Sequence, residues 1–231
     1  GWKATGDLTI SGNSVQISAD YASASAYADS SGQAYATALG RLDITVPGDM
    51  TVTATGTSYA YASIYANGAS AEGTAYSGGY AEGFADNSVT IDVGGNLTIT
   101  ADDYVEIFTE SASASAQAYS NASAQADAYD RMDITVGGDM TITVASGGAS
   151  IFMDEVDADA SVGYYSGGSS SATVADAFAD GGISISVTGD FAMNASSYAA
   201  ISGGSVTSVS STCRLGCGAG GKGSRGSAHQ S

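Results

Sequence analysis

Apolar and polar residues alternate along residues 42–53, with Leu42, Ile44, Val46, Gly48, Met50 and Val52 on one parity and Asp43, Thr45, Asp49, Thr51 and Thr53 on the other. Period two is the mark of a strand with one face buried. Copies of this phrase lie at residues 2–10, 89–100, 132–143 and 183–194. A Gly-Asp or Gly-Asn pair recurs in each, with the glycine (Gly6, Gly48, Gly95, Gly138, Gly189) always on the apolar parity. Such a glycine predicts a corner, a bulge or a close approach of backbones that leaves the two faces unreversed.

Between the copies runs a second kind of alternation, with alanine on one parity and Ser, Tyr, Thr or Gln on the other. It covers residues 21–28 and 33–38, 59–66 and 69–73, 111–118 and 122–128, and 156–162 and 172–179. Turn chemistry separates the arms, at Asp29 to Gly32, Asn67-Gly68, Ser120-Asn121 and Ser166-Gly167-Gly168. Alanine is the best helix former. Strict alternation, however, would scatter it around a helix with no apolar stripe, whereas a strand collects it into one methyl face.

The prediction is an all-β chain of about five imperfect repeats of roughly 45 residues, near 1–41, 42–87, 88–130, 131–181 and 182–211, stacked as a β-solenoid or amyloid-like β-arch. Each repeat is expected to hold one long strand and two alanine strands around a narrow two-layer core. Residues 212–231 form a Gly-rich, basic, flexible tail. Stacking in register places Asp7, Asp49, Asn96, Asp139 and Asp190 in one row and Thr9, Thr51, Thr98 and Thr141 in another. Carboxylates at strand spacing repel, so the row calls for solvent screening or for Ca²⁺ at Asp49, Asp139 and Asp190.

Composition sharpens this picture. The chain has 32 glycines, a single proline and a formal net charge of −18, with 24 acidic and six basic residues. Arg214, Lys222 and Arg225 hold three of the six positive charges within the tail. With no basic face to release counterions from phosphates, nucleic-acid binding is excluded as an expectation. No run of about twenty apolar residues predicts a membrane span. The opening Gly1-Trp2-Lys3 has no basic-then-apolar leader and reads as a processed product.

The residues for catalysis are missing from the pattern. One histidine, His229, lies in the tail, so no Ser-His-Asp or Cys-His set is expected. Asp102-Asp103 and Asp154-Glu155 read as solvated turn acids. Asp157-x-Asp159-x-Ser161 starts like a calcium loop but places Val162 at the sharp turn and Gly168 where a bidentate Glu belongs. The chain is expected not to be an enzyme and to need no cofactor, Ca²⁺ being the one ion considered.

Sequons stand at Asn96, Asn121 and Asn194, with Asn121 at a turn the best glycosylation acceptor. Thr51/Thr53, Thr98/Thr100 and Thr141/Thr143 make Thr-x-Thr pairs like those of ice-binding solenoids, an alternative to ordinary strand preference for threonine. Cys213 and Cys217, four apart, suit bonds to neighbouring subunits; free thiols, a local bridge or a metal site are the other readings. Disulfides would place the protein outside the cell.

The Gly-Asp-x-Thr-Ile-Thr phrase resembles repeats of large secreted β-helical adhesins of the filamentous-haemagglutinin type. The whole chain, with its Tyr-Ala-Ser-Ala-Ser-Ala runs and paired tail cysteines, looks more like the amyloid-like sheath protein of filamentous methanogenic archaea. That resemblance implies an extracellular structural subunit whose partners are copies of itself, with Cys213 and Cys217 as inter-subunit disulfides. Open first and last rungs lead to the same expectation, because bare strand edges invite another copy. The runner-up is an adhesin whose Tyr59, Tyr61 and Tyr65 touch a glycan or surface.

Overall fold

In the computed structural model the described residues are 1–29, 31–56, 59–76, 78–119, 122–163 and 174–212. They form a succession of twenty strands in five coils. The first coil is β1 (Trp2–Lys3), β2 (Leu8–Gly12), β3 (Val15–Ala19) and β4 (Ala22–Ala28). The second is β5 (Gln33–Val46), β6 (Met50–Ala54), β7 (Tyr61–Ala66) and β8 (Ala69–Ala75). The third is β9 (Tyr80–Val93), β10 (Leu97–Ala101), β11 (Tyr104–Thr109) and β12 (Ala112–Tyr119). The fourth is β13 (Ser123–Val136), β14 (Met140–Val144), β15 (Gly148–Met153) and β16 (Val156–Gly163). The fifth is β17 (Ala175–Val187), β18 (Phe191–Ala195), β19 (Tyr198–Ser202) and β20 (Val206–Thr212).

Every strand pairs in parallel with its equivalent one coil away, giving four five-stranded sheets, β1-β5-β9-β13-β17, β2-β6-β10-β14-β18, β3-β7-β11-β15-β19 and β4-β8-β12-β16-β20. Like residues therefore stack on like: Ile44 on Ile91 on Ile134 on Ile185, and Thr51 on Thr98 on Thr141. This is the predicted β-solenoid with five repeats. Among the described residues there is no helix.

The coil differs in detail from the expected three strands. The phrase at 42–53 breaks at Gly48-Asp49, so its first half ends β5 and its second half is β6. The alanine arm at 33–38 runs without interruption into Leu42, because Ala34, Ala36, Ala38, Gly40, Leu42 and Ile44 all keep one inward parity. A further short strand (β3, β7, β11, β15, β19) closes the third side.

The core is correspondingly double. The second halves of β5, β9 and β13 enclose a wide column with β6, β10 and β14 and with β7, β11 and β15, filled by Leu42, Ile44, Met50, Val52, Ile64 and their stacked equivalents. The first halves of β5, β9 and β13 lie face to face with β8, β12 and β16, and alanine fills nearly all of that thin lobe. Only this lobe is the narrow two-layer core the sequence predicts. The sheets of the thin lobe approach closely at Gly73, where a Cβ would lie 2.5 Å from the Glu82 carbonyl oxygen of the facing sheet.

Candidate functional site: the corner ladder and the open ends

At the first corner of each coil the aspartate row forms a continuous hydrogen-bonded ladder. The Asp49 amide donates to Asp7 Oδ1 (3.0 Å), the Asn96 amide to Asp49 Oδ1 (2.7 Å), the Asp139 amide to Asn96 Oδ1 (2.8 Å) and the Asp190 amide to Asp139 Oδ1 (2.8 Å). Two backbone bonds flank each of the three later steps and one flanks the first. The Gly95, Gly138 and Gly189 amides donate to the carbonyls of Gly48, Gly95 and Gly138, while the Leu8, Met50, Leu97 and Met140 amides donate forward to Asp49, Asn96, Asp139 and Asp190.

This ladder explains the Gly-Asp phrase. A Cβ on Gly48, Gly95, Gly138 or Gly189 would collide with the side-chain Oδ1 of the preceding coil's Asp7, Asp49, Asn96 or Asp139. Glycine is required because the carboxylate needs that space, and the carboxylate in turn satisfies an amide that the corner would leave unpaired. One oxygen of each acid is thus engaged by an amide while the side chain stays exposed, so hydrogen bonding and solvent offset the repulsion along the row. Among the described residues no group of three or more His, Cys, Asp or Glu is arranged to hold a metal ion. Asp49, Asp139 and Asp190 stand one above another, with Asn96 between the first two.

A second polar feature sits at the waist between the two core lobes and was not anticipated as a site. The inward row here reads Gly40, Asn87, Asp130, Gly181. Asn87, Thr109 and Asp130 are fully buried. The Thr109 hydroxyl donates to Asp130 Oδ2 (2.8 Å), and Asn87 Nδ2 donates to the Glu110 carbonyl (2.7 Å) and, at 3.4 Å, to Asp130 Oδ1. The Gly68 amide donates to Asn87 Oδ1 (3.2 Å). Burial pushes the Asp130 carboxyl up to about 8, against the lowering effect of the Thr109 and Asn87 hydrogen bonds and with further upward contributions from Asp154 and Asp86. The signal was present in the sequence, since Asp130 falls on the parity of Ala124, Ala126, Ala128 and Met132.

The outer faces carry ladders of their own. Tyr61 stacks on Tyr104 at 5.1 Å, and Tyr65, Phe108 and Phe152 form a stack at 4.6 and 5.0 Å, all on the outside of the third sheet. Tyr59 meets Tyr104 edge-on at the corner. The predicted adhesive tyrosines are thus brought together with two phenylalanines. Glu106 stands between the two stacks, and burial against them raises its carboxyl. On the adjoining sheet Thr51, Thr98 and Thr141 run beside Thr53, Thr100 and Thr143 as a half-exposed three-by-two array, bounded by Thr9 and Ser11 on one side and Ala192 and Asn194 on the other.

The remaining predicted residues are dispersed. Asp102 and Asp103 brace the second corner, accepting from the amides of Gly56 (3.0 Å) and Ala60, and Ser146 donates to Asp103 at 3.2 Å. Asp154 and Glu155 are exposed beside β16, on which Asp157, Asp159 and Ser161 share the outward parity and Val162 is buried. Burial, with Glu155 and Asp159 nearby, raises the Asp157 carboxyl. Asn96 and Asn194 are exposed, the first engaged in the corner ladder. Asn121, Gly168, Cys213, Cys217 and His229 lie outside the described residues.

Both ends of the stack differ from its middle. Leu8, Ile10 and Ala22 to Ala26 at one end, and Ile183, Ile185, Val187, Met193 and Val206 at the other, are only partly buried although they occupy core rows. Trp2, Tyr21, Tyr27, Tyr35 and Leu39 are exposed at the first end, and Val174, Phe178, Phe191, Tyr198 and Ile201 at the last. Tyr59 completes the set of large exposed apolar side chains among the described residues. Among the described residues nothing covers β2, β3 and β4 on one face or β17 to β20 on the other. No helix among them is long and apolar enough to cross a membrane. Comparison with protein families, with curated proteins and with solved structures finds no match for this chain.

Proposed function

We propose that this protein is a structural subunit that polymerises through its open β-edges into an extracellular sheath, tube or filament, with Cys213 and Cys217 as cross-links between copies. The observation that carries the reading is the state of the two ends. Strand edges, core columns and large exposed apolar side chains all run out there together. Natural sheets usually blunt such edges, and a second copy satisfies them by repeating the contact already made between coils. A heterologous, head-to-tail contact gives an open fibre, or a hoop if it closes. The acidic surface keeps the sides of such a polymer apart. No catalytic role, cofactor or nucleic-acid partner belongs to this reading.

The test is electron microscopy of native material after hot detergent alone and after detergent with a thiol reductant. Periodic tubes or fibres that survive detergent and loosen only with reductant are expected. Dispersed monomers in both samples would sink the proposal. The aromatic stacks of the third sheet favour a second reading, an adhesin that lays Tyr61, Tyr65, Tyr104 and Phe108 on a glycan ring. An adhesin of that kind would stay monomeric and lose glycan retention on Tyr61→Ala.

A further inference from the structure

The four later corner glycines each have a steric reason, a carboxylate or amide oxygen from the preceding coil where a Cβ would go. Gly6 has none: a Cβ there would meet nothing within 4 Å. Its backbone is not in the left-handed region that favours glycine. Gly6 is nevertheless followed by Asp7 in the same phrase, as if another coil lay before it.

The last coil presents what that missing coil would supply. Asp190 Oδ1 and the Gly189 carbonyl point onward with no partner among the described residues, as does the Phe191 amide. At the first coil the Gly6 and Asp7 amides and the Asp7 carbonyl are likewise without the partners their equivalents have in later coils. Two acceptors and a donor at one end thus match two donors and an acceptor at the other.

We propose that a second copy docks its first coil onto the last coil in the same register in which coils stack within the chain, with the Asp7 amide of one copy donating to Asp190 Oδ1 of the next and Gly6 lying beneath that carboxylate. The inference rests on the polymer reading above and adds the register to it. The contact continues the coil-to-coil interface that occurs four times inside the molecule, so its geometry is already set. Leu8 of the incoming copy falls over Phe191, and Thr9 over Ala192. Trp2, which continues the inward row of Ile44, Ile91, Ile134 and Ile185, lands on Ile185. Since β1 pairs only with Ile44 and Thr45, the first half of β17 keeps an open edge at the junction, as the first half of β5 does within the chain.

The experiment follows assembly of the full 231-residue chain by light scattering and by the emission of Trp2, its single tryptophan. Three variants are compared with the unaltered chain. Gly6→Ala should leave monomer melting unchanged yet slow elongation at least about tenfold, the effect of some 1.4 kcal/mol lost at the junction. Asp190→Ala should slow it roughly two- to tenfold, as expected for one hydrogen bond. Asp190→Asn keeps the acceptor, as Asn96 does inside the stack, and should assemble like the parent. Trp2 emission should shift to the blue as the polymer grows.

If the parent chain assembles but Gly6→Ala matches its rate, or Trp2 stays solvent-exposed in the polymer, this register is overturned while the polymer reading stands. If the parent chain does not assemble under any condition, the polymer reading fails and this inference fails with it.

Discussion

The two lobes of the coil solve the same packing problem with opposite materials. The wide lobe has three sides and is filled by leucine, isoleucine, valine and methionine, each fully buried side chain contributing about 1.5–3 kcal/mol through removal from water. The thin lobe has two sides lined almost wholly by methyl groups, each of which contributes far less. Backbone ladders and close sheet contact hold it instead. The difference teaches that one continuous strand can serve both lobes, provided that its inward parity is kept and only residue size changes along it. β13, a strand of fourteen residues, does this between Ala124 and Val136. The waist between the lobes, where neither filling fits, holds the Asn87–Asp130–Thr109 cluster.

Substitutions that exchange the two materials should break this arrangement, most strongly in the wide lobe. Ile99→Ala, at the centre of that column, should cost about 2–5 kcal/mol by leaving a cavity, measured by denaturant unfolding of the monomer. The reverse change, Ala126→Leu in the thin lobe, should cost about 1–3 kcal/mol by overpacking, and Gly73→Ala should act in the same sense because the facing Glu82 backbone cannot yield. Equal tolerance of Ile99→Ala and Ala126→Leu would mean that the lobes are not packed differently.

The waist adds a dependence on pH. The folded Asp130 carboxyl titrates near 8, above its ordinary value of 3.8, so between those values the unfolded chain has lost a proton that the folded chain keeps. Stability should be greatest below about pH 4 and fall as pH rises toward 8, with a slope of at most about 1.4 kcal/mol per pH unit from this group. Glu106, Asp127 and Asp157 are raised by burial and act in the same direction. Asp130→Asn should flatten the slope without removing it, which melting temperatures between pH 4 and 8 would show. The smallest effect belongs to the outer face: Thr98→Val should change stability by no more than about 0.5 kcal/mol.

Much of the fold was legible in alternation. The period-two pattern, the recurring Gly-Asp pair and the alanine arms give the strands, the corners and the number of coils. The third side was legible only where turn chemistry marked it. Asn67-Gly68, with Gly68 at φ 103°, marks the end of β7, but Val15 to Ala19, Tyr104 to Thr109 and Gly148 to Met153 follow two- or three-residue corners and carry neither the Gly-Asp phrase nor the alanine alternation. Parity runs unbroken through residue 41: the residues grow larger at Leu42, but the inward positions never shift.

Of the site, the aspartate row was legible as a stack, but its role as an amide acceptor was not. That role depends on the corner's geometry, which turns the carboxylate over the next glycine instead of out to solvent. Asp130 could have been found as the one acid on an inward parity. What made it tolerable, the Thr109 hydroxyl and the Asn87 amide, comes from another strand and another coil, and no local pattern brings them to it.

The most direct test of the account is fibre diffraction from assembled, aligned material. If coils continue from copy to copy in the register seen within the chain, a reflection near 4.8 Å should lie along the long axis of an open fibre. An open fibre whose 4.8 Å reflection is confined to the direction perpendicular to its long axis would show that copies meet side by side, and would contradict end-to-end growth through the open coils.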